Sequence, residues 1–224
     1  MKKEERNMLS TVNNLSYREI SNFKVVDKYN IETLDINETI SELSYLTHDY
    51  FRYYGKFPSK VAKTIISKLV KENLINSQDD FIFDNYVGSG TSLVEAKLAG
   101  FDSVGVDISP FAILASKVKT YNYSVSDLKL VMGDLFNKIE LYEYGKQELD
   151  RNPKHTNEIQ SLFKKIYTEF PDIEKWFSTQ AIRNITVIKY FILQMPLGKT
   201  REFFLLAFFA IIRRVSKAFD AEVR

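Results

Sequence analysis

Residues 81–107 limit the possible folds more than any other part of the sequence. Phe81, Ile82 and Phe83 make a short apolar β-forming run that ends in an acid, Asp84, and glycines follow at 88 and 90. Residues 91–98 read as a helix, with Gly100 as its stop. Residues 103–106 read as a second short strand, again closed by an acid, Asp107. Pro110 stands where the first turn of a helix tolerates proline, and residues 111–118 continue that helix. Strand, glycine turn, helix, strand, acid, helix is the first half of a nucleotide-binding α/β sheet.

The pattern also describes a pocket. Two glycines let the backbone approach a ligand closely. The helix behind them turns its free N–H groups toward whatever sits there. Asp107 follows Gly90 by 17 positions and ends the neighbouring strand, where a carboxylate can accept both hydroxyls of a ribose. A dinucleotide fingerprint needs a third glycine, and Leu93 occupies that place. A P-loop needs a lysine after its last glycine, and Thr91 stands there instead. S-adenosylmethionine carries no pyrophosphate and needs a short glycine loop with an acid at the ribose, so this segment suits it better. A glycine turn with no ligand is the plainer alternative.

Around this unit the chain is an ordinary globular one. At 224 residues it can bury one sizeable core with a helical appendage. A net charge of +2 neither demands nor excludes a nucleic-acid partner. There is no cysteine and there are two histidines, which disfavours a metal site and fits a reducing, cytoplasmic setting. The first 14 residues hold no apolar export core. The greasiest stretch, residues 203–212, spans only about 15 Å as a helix, half a bilayer core, so it reads as buried rather than as a membrane anchor.

Upstream, residues 23–26 and 31–36 pair as a hairpin around Tyr29 and Asn30. Asn37 caps a short helix through Leu46. The aromatic segment 48–59 is irregular, and a helix from Ser59 buries Val61, Ile65, Ile66, Leu69 and Val70. Downstream no strand is persuasive. Residues 128–139 have helical spacing, including Val131-Met132-Gly133-Asp134, whose alternative is a third strand ending in an acid. Residues 148–158 read as an exposed charged connection. Helices follow over 159–170, from Ser178 through Phe191, and over 199–219. The expected organisation is therefore an N-terminal extension (1–45), a cofactor-binding α/β unit (46–122) and a helical region (123–224).

The blocks DNYVGSGTSLVEAKLAG and VGVDISPFAILASKVKT resemble the DPFxGSGTTxxEA and GxDxxP blocks of DNA methyltransferases that act on the exocyclic amino group of adenine or cytosine. THDYFRYYGKFPS is similar to that family's H-x-Y-x-Y-P-x-K-F-x-P segment, which packs on the methionine part of the cofactor. KWFS and AIIRRVSKA are similar to one branch of it. The resemblance covers residues 45–220. It implies a partial Rossmann-like α/β methyltransferase fold with a large helical C-terminal portion, S-adenosyl-L-methionine as cofactor and DNA as partner. It puts Asp107 on the ribose, Gly88, Ser89 and Gly90 along the methionine side, Tyr86 and Phe57 as pocket walls, and Asp84 on the loop or the cofactor's ammonium. Val87, Thr91 and Ile108 complete the expected cofactor-binding set.

Three departures stand out. Asn85 and Tyr86 replace the usual Pro-Phe, and Tyr54 replaces a proline. The larger one is an absence. The family's catalytic motif is Asp, Asn or Ser followed by Pro-Pro and an aromatic residue, and no two of Pro58, Pro110, Pro153, Pro171 and Pro196 are adjacent. No catalytic residue is expected within these 224. The expectation is a truncated frame, or one half of a split enzyme whose second chain brings the motif and covers an open sheet edge. A non-catalytic cofactor-binding subunit is the alternative, and a dehydrogenase fragment the more distant one. Trp176 and Phe177 read as a packing anchor rather than a base stack. Arg213, Arg214 and Lys217 read as a solvated helix end, His48 as a structural hydrogen-bonding group, and His155 as a loop residue without a role.

Overall fold

The computed structural model describes residues 22–26, 31–35, 45–50, 55–144 and 152–217. It contains two compact units: residues 1–49, 55–87 and 91–106, and residues 50–54, 88–90 and 107–224. These are drawn at other places than 45 and 122, and the helix after Asp107 goes with the second unit. The expected hairpin turn at 27–30, the expected helix over 37–44 and the connection at 145–151 lie outside the described residues.

In the first unit, β1 (Asn22–Val26) pairs antiparallel with β2 (Ile31–Asp35), Val26 opposite Ile31. A 3-10 turn spans Leu46–Asp49. Helix α1 (Ser59–Lys71) starts behind Pro58, which offers no side-chain cap. Its burial centres on Val61, Ala62 and Ile66, while Val70, expected on the inner face, is exposed in the last turn. Strand β3 (Phe81–Asp84) pairs parallel with β4 (Asp102–Gly105), Asp84 opposite Gly105. The second strand was expected one residue later. Val106 still extends the ladder, donating to Asp84 O (2.9 Å) and accepting from Val87 N (3.0 Å).

Helix α2 (Thr91–Leu98) connects the strands. Its end has the geometry that the glycine stop requires. Gly100 has φ +84°, its N–H donates to Lys97 O, and Phe101 N–H reaches back to Ala96 O. Ala96 and Phe101 then pack with Ile66, with Ile75 and Ile82 alongside. That covers one face of the sheet. On the other face Phe81 and Phe83 are 60% and 59% exposed, and Val104 and Val106 are also exposed. Parallel strands are normally buried on both faces, so this apolar face is unusual.

The second unit is helical: α3 (Pro110–Thr120), α4 (Val125–Tyr144), α5 (Pro153–Glu169), the short α6 (Ile173–Trp176), α7 (Thr179–Leu193) and α8 (Lys199–Val215). Its core joins Leu135, Ile159, Ile185, Val187, Tyr190, Phe191, Ile192, Phe204 and Phe208. A second cluster packs Ala115 and Val118 of α3 against Leu206 of α8. Ser178 caps α7 as expected, its hydroxyl accepting from Ala181 N–H. Residues 153–158 correct the sequence reading: they are the first turns of α5, with Pro153 at the first helical position and Asn152 capping Lys154 N–H. The last helix ends at Val215 rather than 219. Among the described residues no helix is long and apolar enough to cross a membrane.

Candidate functional site

In the second unit, residues 88–90 are built from backbone that only glycine holds without strain: Gly88 has φ +48° and Gly90 φ +78°. A Cβ on Gly90 would lie 2.7 Å from the Cα and Cβ of Ser116, so the loop rests directly on the α3 backbone. The Gly88 N–H donates to Asp107 Oδ2 at 2.9 Å, and the Ser109 N–H donates to Asp107 Oδ1 at 2.9 Å. Ser109 also caps α3, its hydroxyl accepting from Ala112 N–H. One carboxylate therefore fixes the glycine loop and the entry to α3 together. It sits just before a helix N-terminus, where the macrodipole favours negative charge.

Asp107 is only partly buried. Among the described residues its partners are these two backbone groups. An ionised carboxylate offers about four lone-pair sites, so each oxygen keeps one for a further donor. Ile108, next in the chain, has its whole side chain in solvent. Ser89 is buried with its hydroxyl unpartnered. A carboxylate, the half-buried Gly88 backbone and an exposed aliphatic side chain thus belong to one unit, and Ser89 adds a buried, unsatisfied hydroxyl. That donor and acceptor set fits a nucleoside's diol with an apolar ring beside it.

The remaining expected site residues belong to the first unit. Asp84 Oδ1 accepts from Tyr86 N–H at 3.0 Å and so shapes its own turn. Val87 is buried over β4, and a Cβ on Gly105 would meet its Cγ2 at 2.6 Å. Thr91 is buried with an unpartnered hydroxyl. Tyr86 is 83% exposed and Phe57 40% exposed.

Two participants escaped the sequence reading. Ser109 gives both a backbone N–H and a cap, and the Asp-x-Ser-Pro spacing before a helix was its signal. Glu95 is buried in α2, where Oε1 accepts from Tyr45 Oη and lies 2.7 Å from His48 Nε2. His48 is thereby a structural hydrogen-bonding group, as expected; Glu95 stands at the acid of the GSGTTxxEA-like block, but nothing in that block says what it meets.

The weaker candidates resolve elsewhere. Val131 to Asp134 lie within α4, and Asp134 pairs with Lys138 at 2.6 Å on an exposed face, so no third strand brings that acid to a nucleotide. His155, read as a loop residue, lies in α5 and meets Tyr190 Oη at 2.7 Å. Burial, reinforced by Glu158, pushes the Tyr190 hydroxyl up to about 12, so it stays protonated and donates to Glu158. Lys217 donates through Nζ to Glu174 O and through its backbone N–H to Trp176 O. Trp176 and Phe177 border an apolar cavity of about 540 Å³ with Phe170, Phe208 and Ile212, remote in sequence from the loop.

Comparison with known proteins gives a consistent result. The family model described as DNA methylase matches residues 2–118. The type II methyltransferase M.MvaI of Kocuria varians is 27% identical over 208 residues, covering 89% of this chain and 42% of the relative. M.MjaII of Methanocaldococcus jannaschii is 30% identical over 127 residues, covering 57% and 22%. M.BsoBI of Geobacillus stearothermophilus is 29% identical over 149 residues, covering 63% and 24%. The chain thus spans less than half the length of each of these relatives. No solved structure matches it.

Proposed function

The chain belongs to the DNA methylase family that acts on the amino groups of adenine and cytosine, and from that premise we propose that it binds S-adenosylmethionine at Gly88–Gly90 and Asp107. The observation that carries this reading is the Gly88 N–H to Asp107 hydrogen bond, which ties a glycine loop to a carboxylate with lone pairs to spare. The ribose hydroxyls donate to the free lone pairs of Asp107. Ile108 covers one face of the adenine, and each buried CH2 of its side chain contributes about 0.8 kcal/mol. Gly88, half-buried, offers its backbone to the amino-acid end, while Gly90 lets the loop rest on α3. Asp84 holds the preceding turn, and the family resemblance adds Tyr86, Val87, Thr91 and Phe57 to the cofactor-binding set. The cofactor supplies a methyl group activated on a sulfonium, and the protein supplies position and electrostatics.

The acceptor is the exocyclic amino group of adenine or cytosine in DNA, taken out of the stack. Residues that accept hydrogen bonds from that amino group are expected in the Pro-Pro-aromatic motif, which is not among these 224 residues. We infer that methyl transfer needs polypeptide beyond them, either continuous with this chain or a second chain. The exposed apolar face of β3 and β4 supports this, because such a face is covered in a complete parallel sheet.

The test measures transfer of a radiolabelled methyl group from S-adenosylmethionine to duplex DNA. Residues 1–224 alone are expected to bind the cofactor without transferring it. Transfer is expected on adding a polypeptide that carries the motif. Binding without transfer in either case favours a cofactor-binding subunit. No binding of S-adenosylmethionine, or tighter binding of NAD, sinks the reading.

A further inference from the structure

Glu95 is a carboxylate among buried apolar neighbours, Leu93, Val94 and Ala96, on its helix. Its side chain is 1% exposed. A carboxylate so buried is costly unless its partners are well placed. Here they are. Tyr45 Oη donates to Oε1, and His48 Nε2 lies 2.7 Å from the same oxygen. The Tyr45 and His48 rings meet edge to face at 5.0 Å, and His48 is wholly buried. The series continues: Lys56 Nζ donates to the His48 carbonyl at 3.0 Å. Lys56 immediately precedes Phe57. Four residues of the first unit thus link the second turn of α2 to the residue before the exposed aromatic ring.

We propose that Glu95 is a positioning residue: through His48 and Lys56 it sets where Phe57 stands relative to α2. This rests on the reading that Phe57 borders the cofactor, and it deepens that reading by naming what orders the aromatic. Tyr45 and His48 both need an acceptor at one point, and Glu95 Oε1 supplies it. The polar cluster fixes Lys56, and with it the neighbouring Phe57, where an apolar contact would tolerate several placements. Phe57, 40% exposed, is covered over only part of its ring.

The absence of cysteine makes a direct test simple. A nitroxide attached at Phe57→Cys reports the mobility of this segment by electron paramagnetic resonance, with no cofactor present. Glu95→Ala is expected to sharpen the spectrum, and Glu95→Gln, which keeps the acceptor oxygen, to restore the broad one. Should Glu95→Ala fail to fold, Lys56→Met cuts the same series nearer the surface and is expected to mobilise the label. An unchanged spectrum in a cooperatively melting Glu95→Ala or Lys56→Met protein overturns the proposal. With unlabelled protein, Glu95→Ala is expected to weaken S-adenosylmethionine binding about tenfold. In a Phe57→Ala background the same change is expected to add less than about twofold, because the two act through one contact. Additive losses would mean that Glu95 is merely structural. A wild-type protein that binds no S-adenosylmethionine would sink the functional reading, while the label would still decide the positioning role.

Discussion

Asp107→Ala is expected to lower the affinity for S-adenosylmethionine at least a hundredfold. Two charge-assisted hydrogen bonds to the ribose contribute about 1.5–3 kcal/mol each, and every 1.4 kcal/mol is a factor of ten. The loss has a second source. The same carboxylate accepts the Gly88 and Ser109 N–H groups, so its removal leaves both unpaired and frees the loop and the α3 entry at once. Asp107→Asn separates the two. One oxygen remains as acceptor, but the amide presents a donor where the other oxygen stood, so an intermediate loss of about tenfold is expected. Calorimetric titration measures both. An alanine variant that binds within twofold of wild type would remove Asp107 from the site.

The second large effect is on the fold. Gly90→Val places a β-branched side chain at φ +78° and drives a Cβ to 2.7 Å from the Ser116 backbone. Left-handed backbone costs about 1–2 kcal/mol for an L-residue, and overpacking about 1–3 kcal/mol more. For a chain of this size that lowers the melting temperature by roughly 5–15 °C. Gly100→Ala is the control. Its φ of +84° is equally unfavourable, but nothing lies within 4 Å of the added carbon. It should therefore cost only about 1–2 kcal/mol. Equal melting losses in the two variants would show that the approach to Ser116 does not matter.

These two residues also show why part of the structure was legible in the sequence. A glycine forced into left-handed backbone, a proline at a first helical turn and an acid at a strand end act within a few residues. Gly88, Gly100, Pro110 and Asp107 could therefore be placed without knowing their surroundings. Residues whose roles depend on distant partners could not. Glu95 stands in the GSGTSLVEA block, but what it binds is not visible until Tyr45 and His48, about 50 positions earlier, are set beside it. Residues 153–158 look like a solvated linker because polar side chains dominate them, although Asn152 and Pro153 carry a cap signal. His155 acquires a partner only when α7 packs against α5 and brings Tyr190 to it. The apolar face of β3 and β4 was hidden for another reason. Strand periodicity gives which residues share a face, and nothing in it says whether that face is covered.

One measurement addresses the pocket itself. Amide shift changes recorded while S-adenosylmethionine is titrated into the isotopically labelled chain report where it binds. The pocket described predicts the largest changes at Gly88, Ser89, Gly90 and Ile108, with the Gly88 amide among them because its hydrogen bond to Asp107 is part of the site. Changes centred instead on Phe170, Trp176 and Phe208 around the apolar cavity, or no changes at saturating concentration, would contradict it.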